Sequence, residues 1–190
     1  MPSSVVSTTW RSYERNRPTD GDVLHDGGRW GLRYERVMHH PPEKVWAALT
    51  ESEHLRHWMP CDIVGERKEG ADIELPFWPA QVERYAIKEP VLYGRILVWD
   101  PYRVFEWTWD TDVLRWELEA VADGTLLTLT TWLGNDVDIA RDAAAGYHVC
   151  LDQLIELLDT GTVGPLEDVD VHRWEERYIE AVARVEADSR

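Results

Sequence analysis

Chemistry near neutral pH needs histidines, cysteines or carboxylates whose spacing brings them together, and this chain offers four such sets. His54 and His57 lie three apart in a helical stretch, with Cys61 just beyond and His39-His40 upstream. Zinc sites use such spacings, but no second ligand pair stands nearby, so these read as surface histidines and no metal is expected. His148 and Cys150 could pair as base and nucleophile. Two apart on a helix, however, they point roughly 200° away from each other. Cys150 reads instead as a small core residue. Glu106, Glu117 and Glu119 fall on one polar strand face, where nothing desolvates a carboxyl. Asp62, Glu74, Glu83 and Arg84 come from strands whose orientation the pattern leaves open, and one of them could reach a cavity mouth. No catalytic residue and no cofactor emerge from these sets.

What stands out instead is apolar: 11 Trp in 190 residues, with a hydrophobic share of 44%. A chain of this length removes roughly 70% of its unfolded surface from water, so it can build a core without staples. The formal charge is −16. That excludes a sequence-tolerant nucleic-acid binder, which needs clustered Lys and Arg, and disfavours anionic membranes. With two cysteines, no apolar run near 18 residues and no basic-then-apolar start, the expectation is a reduced, cytoplasmic protein.

The elements that must position these residues follow from periodicity and punctuation. Residues 1–21 are aperiodic and read as a loose arm. A strand is expected at 29–39, after the Asp26-Gly27-Gly28 turn signal. Pro41-Pro42 opens a short helix carrying Val45, Trp46 and Leu49 on one face. Thr50-Glu51-Ser52-Glu53 matches a capping box that would start a second helix through Leu55, Trp58 and Met59, stopped by Pro60. From Asp62 to Leu133 the pattern reads strand after strand. A long helix follows over 136–160, capped by Asn135 or Asp136 and ended by Gly161. After Gly164-Pro165, the residues Trp174, Tyr178, Ala181, Val182 and Val185 mark a last amphipathic helix.

Hairpin turns fix which side chains share a face. A loop at Thr111-Asp112 would pair Phe105 with Leu118, Trp107 with Trp116 and Trp109 with Leu114, and would set Glu106 against Glu117. A loop at Asp123-Gly124 would pair Leu118 with Leu129, Trp116 with Thr131, Leu114 with Leu133 and Ala120 with Leu127. Extending backwards would put Ile96 opposite Trp107 and Val98 opposite Phe105. One sheet face is then continuously apolar, Thr131 being its single polar member. A curved antiparallel sheet around a long helix tends to leave room between them, which suits an apolar or aromatic small molecule.

Four segments carry a resemblance: HPPEKVWAALTESEHLRHWMP (His40–Pro60), GRILVWDPYRVFEWTW (Gly94–Trp109), LRWELEAVADGTLLTLT (Leu114–Thr130) and AAGYHVCLDQLIELLDTG (Ala144–Gly161). Over about 22–161 they resemble bacterial SRPBCC proteins of the branch named after the activator of the heat-shock-protein-90 ATPase, homologue-1-like. The WEERY helix (Trp174–Tyr178) resembles a tail extension of bacterial members. The resemblance implies an α+β helix-grip fold like START and birch-pollen-allergen domains, a curved antiparallel sheet gripping a C-terminal helix around a hydrophobic cavity. Two departures are visible: Tyr147 stands where members often carry Trp, and Gly70–Pro90 matches no family pattern.

The expected organisation is therefore an arm (1–21), a cavity domain (22–161), and a linker with a C-terminal helix (162–190). The expected cavity residues are Trp46, Trp58, Phe105, Trp107, Trp109, Trp116, Leu118, Leu129, Thr131, Tyr147 and Leu151. The first functional expectation is binding of a hydrophobic or aromatic small molecule without chemistry. The alternative is an enzyme like polyketide cyclases and aromatases or related lyases, which requires an ionisable residue facing inward. A third reading, a stress- or chaperone-linked interaction protein, rests on the family name and on a C-terminal helix that could pack at home or form a homodimer.

Overall fold

The structure is a computed structural model, and it describes residues 21–188. The arm expected over 1–21 lies, apart from Gly21, outside the described residues. The chain runs β1 (Asp22–Asp26), β2 (Arg29–Met38), α1 (Pro42–Thr50), α2 (Ser52–Leu55), β3 (Val64–Gly65) and β4 (Asp72–Pro76). It continues α3 (Pro79–Tyr85), β5 (Val91–Asp100), β6 (Val104–Trp109), β7 (Asp112–Val121), β8 (Gly124–Trp132), α4 (Val137–Thr160) and α5 (His172–Asp188). The strands form one antiparallel sheet in the order β1-β2-β8-β7-β6-β5-β4-β3, with α4 against its apolar face. This is the expected α+β helix-grip fold.

Two elements were not expected. β1 forms because Gly27 and Gly28 both adopt positive φ, closing a tight hairpin in which Asp26 faces Arg29. α3 interrupts the strands expected across 62–133. Pro79 opens it just as Pro42 opens α1, where a missing N–H leaves no partner wanting. The capping box does not form. Thr50 is still helical, and its hydroxyl donates back to the Trp46 carbonyl at 2.8 Å, so α2 starts from Glu51 without a side-chain cap.

Both central hairpins are offset by two residues from the expected register, an even shift that leaves every side chain on its expected face. The first turn is Asp110-Thr111, so Phe105 faces Trp116, Trp107 faces Leu114 and Trp109 faces Asp112. Asp110 takes a positive φ of 52°, which a short polar side chain tolerates. The second turn shifts likewise: Leu118 faces Leu127, Trp116 faces Leu129, Leu114 faces Thr131 and Ala120 faces Thr125. The physical reason lies on the outer face. The observed register puts Glu106 opposite Arg115 instead of opposite Glu117, and Arg115 binds both carboxylates, at 2.5 and 3.1 Å. Between β5 and β6, Ile96 does face Trp107, but a bulge then sets Val98 against Glu106 and Trp99 against Phe105.

α4 carries the expected ends. The Asp136 carboxylate accepts from Asp138 N and Ile139 N, and Gly161 closes the helix at φ 77°. α5 packs on its own domain, burying Trp174, Tyr178 and Val182. The His148 ring stacks on Trp174 at 3.6 Å between centroids, and its Nδ1 meets the Tyr178 hydroxyl at 2.9 Å. That hydroxyl also accepts the Gly21 amide at 2.7 Å, tying α5 to the residue before β1.

One glycine sets where the β6–β7 hairpin tip can lie. A Cβ on Gly94 of β5 would sit 1.9 Å from the Thr108 carbonyl oxygen, so only glycine lets the two backbones approach this closely. Gly94→Ala is expected to destabilise the protein by about 2–3 kcal/mol in chemical denaturation. A loss below 0.5 kcal/mol (about the scatter of surface changes) would contradict this close approach.

Candidate functional site

A cavity of about 750 Å³ opens where the tip of the β6–β7 hairpin, the start of α4, α3 and the segment leading into α5 converge. Inward-facing positions on β7 alternate, so Asp112 heads the row that continues through buried Leu114, Trp116 and Leu118. Across the strand pair its neighbour is Trp109, which ends the inner row of β6. Trp109 stacks on buried Trp107 at 5.7 Å and meets Phe77 at 5.8 Å. From the opposite wall, one face of α4 presents Ala143, Gly146, Tyr147 and Cys150. The small residues Ala143 and Gly146 explain the empty volume. A Cβ added at Gly146 would touch nothing within 4 Å.

The carboxylates lining the cavity are Asp110, Asp112, Asp136, Asp142 and Glu175, and no Lys, Arg or His lines it. Asp112 is the half-buried one on the sheet's inner face, and no hydrogen bond or ion pair to its carboxylate occurs among the described residues. Burial raises its pKa above the usual aspartate value. Neighbouring Asp110 pushes the same way, while Arg29 pulls it down. Arg29 is itself engaged with the carbonyls of Leu133, Trp132 and Thr111. Tyr147, across the cavity, has its phenol pushed far up by burial. The Thr131 hydroxyl lies beside that phenol without reaching hydrogen-bond geometry, and Trp107 Nε1 is likewise buried without a partner among the described residues. Gln81 is 4% exposed and lines the cavity. Its Nε2 reaches Glu167 at 3.4 Å, and its carbonyl oxygen has no partner among the described residues.

Of the eleven residues expected to line a cavity, Trp109 and Tyr147 do so. The others build the floor and core around it. Phe105 stands beside Trp107, Trp46 packs edge-on against Trp99, and Trp58 packs edge-on against Trp116 at 5.7 Å. Leu118, Leu129, Thr131 and Leu151 are buried among them.

An ionisable group does face inward, but it is Asp112, at the expected Thr111-Asp112 turn, and not one of Asp62, Glu74, Glu83 and Arg84 or a histidine. Glu74 and Glu83 are exposed, Asp62 accepts its neighbour's amide (Ile63 N) at 2.8 Å, and Arg84 stacks on Tyr85 from outside. Cys150 does line the cavity, but burial lifts its thiol to about 12, so it is no thiolate at neutral pH. Its companion His148 is turned away toward Trp174 and Tyr178. Among the described residues no group of three His, Cys, Asp or Glu is placed to hold a metal. No helix among them is long and apolar enough to cross a membrane.

The family described as Activator of Hsp90 ATPase homolog 1-like protein matches residues 39–159. No curated protein matches the chain. Among solved structures, the conserved protein of unknown function EF2215 from Enterococcus faecalis superposes with a TM-score of 0.73 at 20% identity, covering 93% of this chain and 98% of its own. CalU16 from Micromonospora echinospora superposes at 0.61 and 19% identity, covering 87% and 94%. A protein from Mesorhizobium loti, MLL2253, does so at 0.57 and 22% identity, over 70% and 99%. At these identities the likeness concerns the fold.

A carboxyl held inward with a raised pKa weakens the fold when charged. The folded state holds its proton more tightly than the unfolded chain does. Its contribution to stability therefore falls as pH rises from the unfolded value, about 3.9, through the folded one. Asp112→Asn is accordingly expected to raise the melting temperature at pH 7, with the gain shrinking toward zero near pH 3. Thermal melts of both proteins across that range check it, and a gain independent of pH would contradict the assignment.

Proposed function

This chain belongs to the Activator of Hsp90 ATPase homolog 1-like family, and from that premise we propose that it binds an apolar or aromatic small molecule in the cavity between the β6–β7 hairpin and α4. One observation carries this reading: a cavity of about 750 Å³ walled by Trp109, Phe77, Leu92, Tyr147 and Cys150 beside two small α4 residues. Its volume falls within the roughly 300–1,000 Å³ of small-molecule sites, and such sites are mainly apolar with a few placed polar groups. Asp112 and Gln81 would be those groups. Tyr85, exposed on α3 at the rim, offers a further ring near the entrance. We place the protein in the cytoplasm, in keeping with two buried, unbridged cysteines.

A second reading is favoured by Asp112 alone: an enzyme of the cyclase or lyase kind, with that carboxyl moving a proton at the bound molecule. An acid–base residue works best when its pKa lies near the operating pH, and burial moves Asp112 in that direction. Recovering the bound molecule unchanged after incubation separates pure binding from turnover.

Filling the cavity tests the site directly. The neutral fluorophore N-phenyl-1-naphthylamine is expected to brighten on binding the native protein. Gly146→Leu should weaken that binding at least tenfold while leaving the melting temperature equal or higher, since glycine inside a helix costs about 1 kcal/mol relative to other residues. A native protein that takes up no fluorophore, or a variant that binds it as well, would overturn the proposal.

A further inference from the structure

We infer that the ligand carries a positively charged amine on its apolar body, and that this amine sits against Asp112 between Trp109 and Tyr147. This rests on the binding reading above and names the chemical class of its ligand. Three observations point the same way. First, two side chains of the cavity wall offer acceptors. The Asp112 carboxylate lacks a hydrogen bond or ion pair, and the carbonyl oxygen of nearly buried Gln81 has no partner among the described residues. A protonated amine has only donors to give, and it matches both. Secondly, the walls carry five carboxylates, Asp110, Asp112, Asp136, Asp142 and Glu175, and no Lys, Arg or His is among the lining residues. The nearest cations are already engaged. Arg29 is held by three backbone carbonyls, and Arg84 donates to the Glu167 carbonyl while lying over the outer face of Tyr85. Thirdly, the rings of Trp109, Tyr147 and Phe77 line the same cavity, and an aromatic ring attracts a cation lying within about 6 Å of its centroid.

A carboxylic acid ligand of the same size would meet Asp112 and the acid rim as a like charge. A neutral ligand would leave the half-buried carboxylate with only Arg29, itself held by three backbone carbonyls, to balance it. An ammonium group removes both costs. Charge discrimination is therefore built into a cavity whose walls otherwise select only for shape.

Three naphthalene probes of matched size test this: 1-naphthylmethylammonium, 1-naphthalenemethanol and 1-naphthoate, titrated by calorimetry into the full chain at pH 7. The expected order is ammonium tightest, at least tenfold over the alcohol, with the carboxylate weakest. Asp112→Asn should bring the ammonium-to-alcohol ratio below about two. Gln81→Met should lower the same ratio by a smaller factor, giving a second reading on a separate element. Glu119→Gln, an equal charge change on an exposed β7 position, should leave the ratio untouched. Equal binding of ammonium and alcohol, or a tightest carboxylate, overturns the inference and leaves the binding reading standing. A preference that survives Asp112→Asn also overturns it, because the attraction would then belong to the overall charge of −16. If none of the three probes binds, the cavity reading falls as well.

Discussion

The rest of the structure depends on the two-residue period of β6, β7 and β8, whose inner face is covered by α1, by Trp58 and, across the cavity, by the 24-residue helix α4. Phe105, Trp107, Trp116, Leu118, Leu127 and Leu129 must all face inward, because burying a side chain of this size stabilises the fold by about 2–3 kcal/mol and exposing it forfeits the same. The period does not stop where the apolar residues do. It carries on to Asp112, which is turned inward by the same alternation that turns Leu114 inward. Removing that carboxyl from the interior would mean slipping the strand by one residue and exposing every ring behind it. The site is in this sense a by-product the core enforces, and the cost of one desolvated carboxyl is small against the aromatic row that holds it there.

The sequence revealed the faces more reliably than the pairs. Hydrophobic alternation reports parity, and parity survives any even shift. The inward set was therefore identified although both central hairpins sit two residues from where Thr111-Asp112 and Asp123-Gly124 suggested. The signal that could have corrected them was electrostatic. Setting Glu106 against Arg115 removes a like-charge pair that the first alignment tolerated. A turn at Thr111-Asp112 makes Asp112 a loop residue, so the sequence does not reveal the carboxyl on the sheet's inner face. α3 was missed for a different reason: a seven-residue helix shows barely two turns of periodicity, too little to outweigh its strand-like surroundings. The cavity itself was only partly readable. Trp109 and Tyr147 line it, but its emptiness comes from Ala143 and Gly146, and absent atoms leave no hydrophobic signature.

The acid surplus of the chain has two distinct parts. On the outer sheet face it is locally balanced, as Arg115 between Glu106 and Glu117 shows. Such half-exposed pairs contribute little to stability, roughly 0–1 kcal/mol each. Around the cavity it is unbalanced, and there the low-dielectric wall formed by Trp109 and Tyr147 lets one charge act over a longer range than it would in water.

The Tyr178 hydroxyl holds the Gly21 amide at 2.7 Å, which brings the first described residue next to the final helix. The first hairpin and the last helix thereby share one wall, and α5 also carries Glu175 to the cavity's edge. Loosening Tyr178 would therefore reach β1 and the near turn of α5 together.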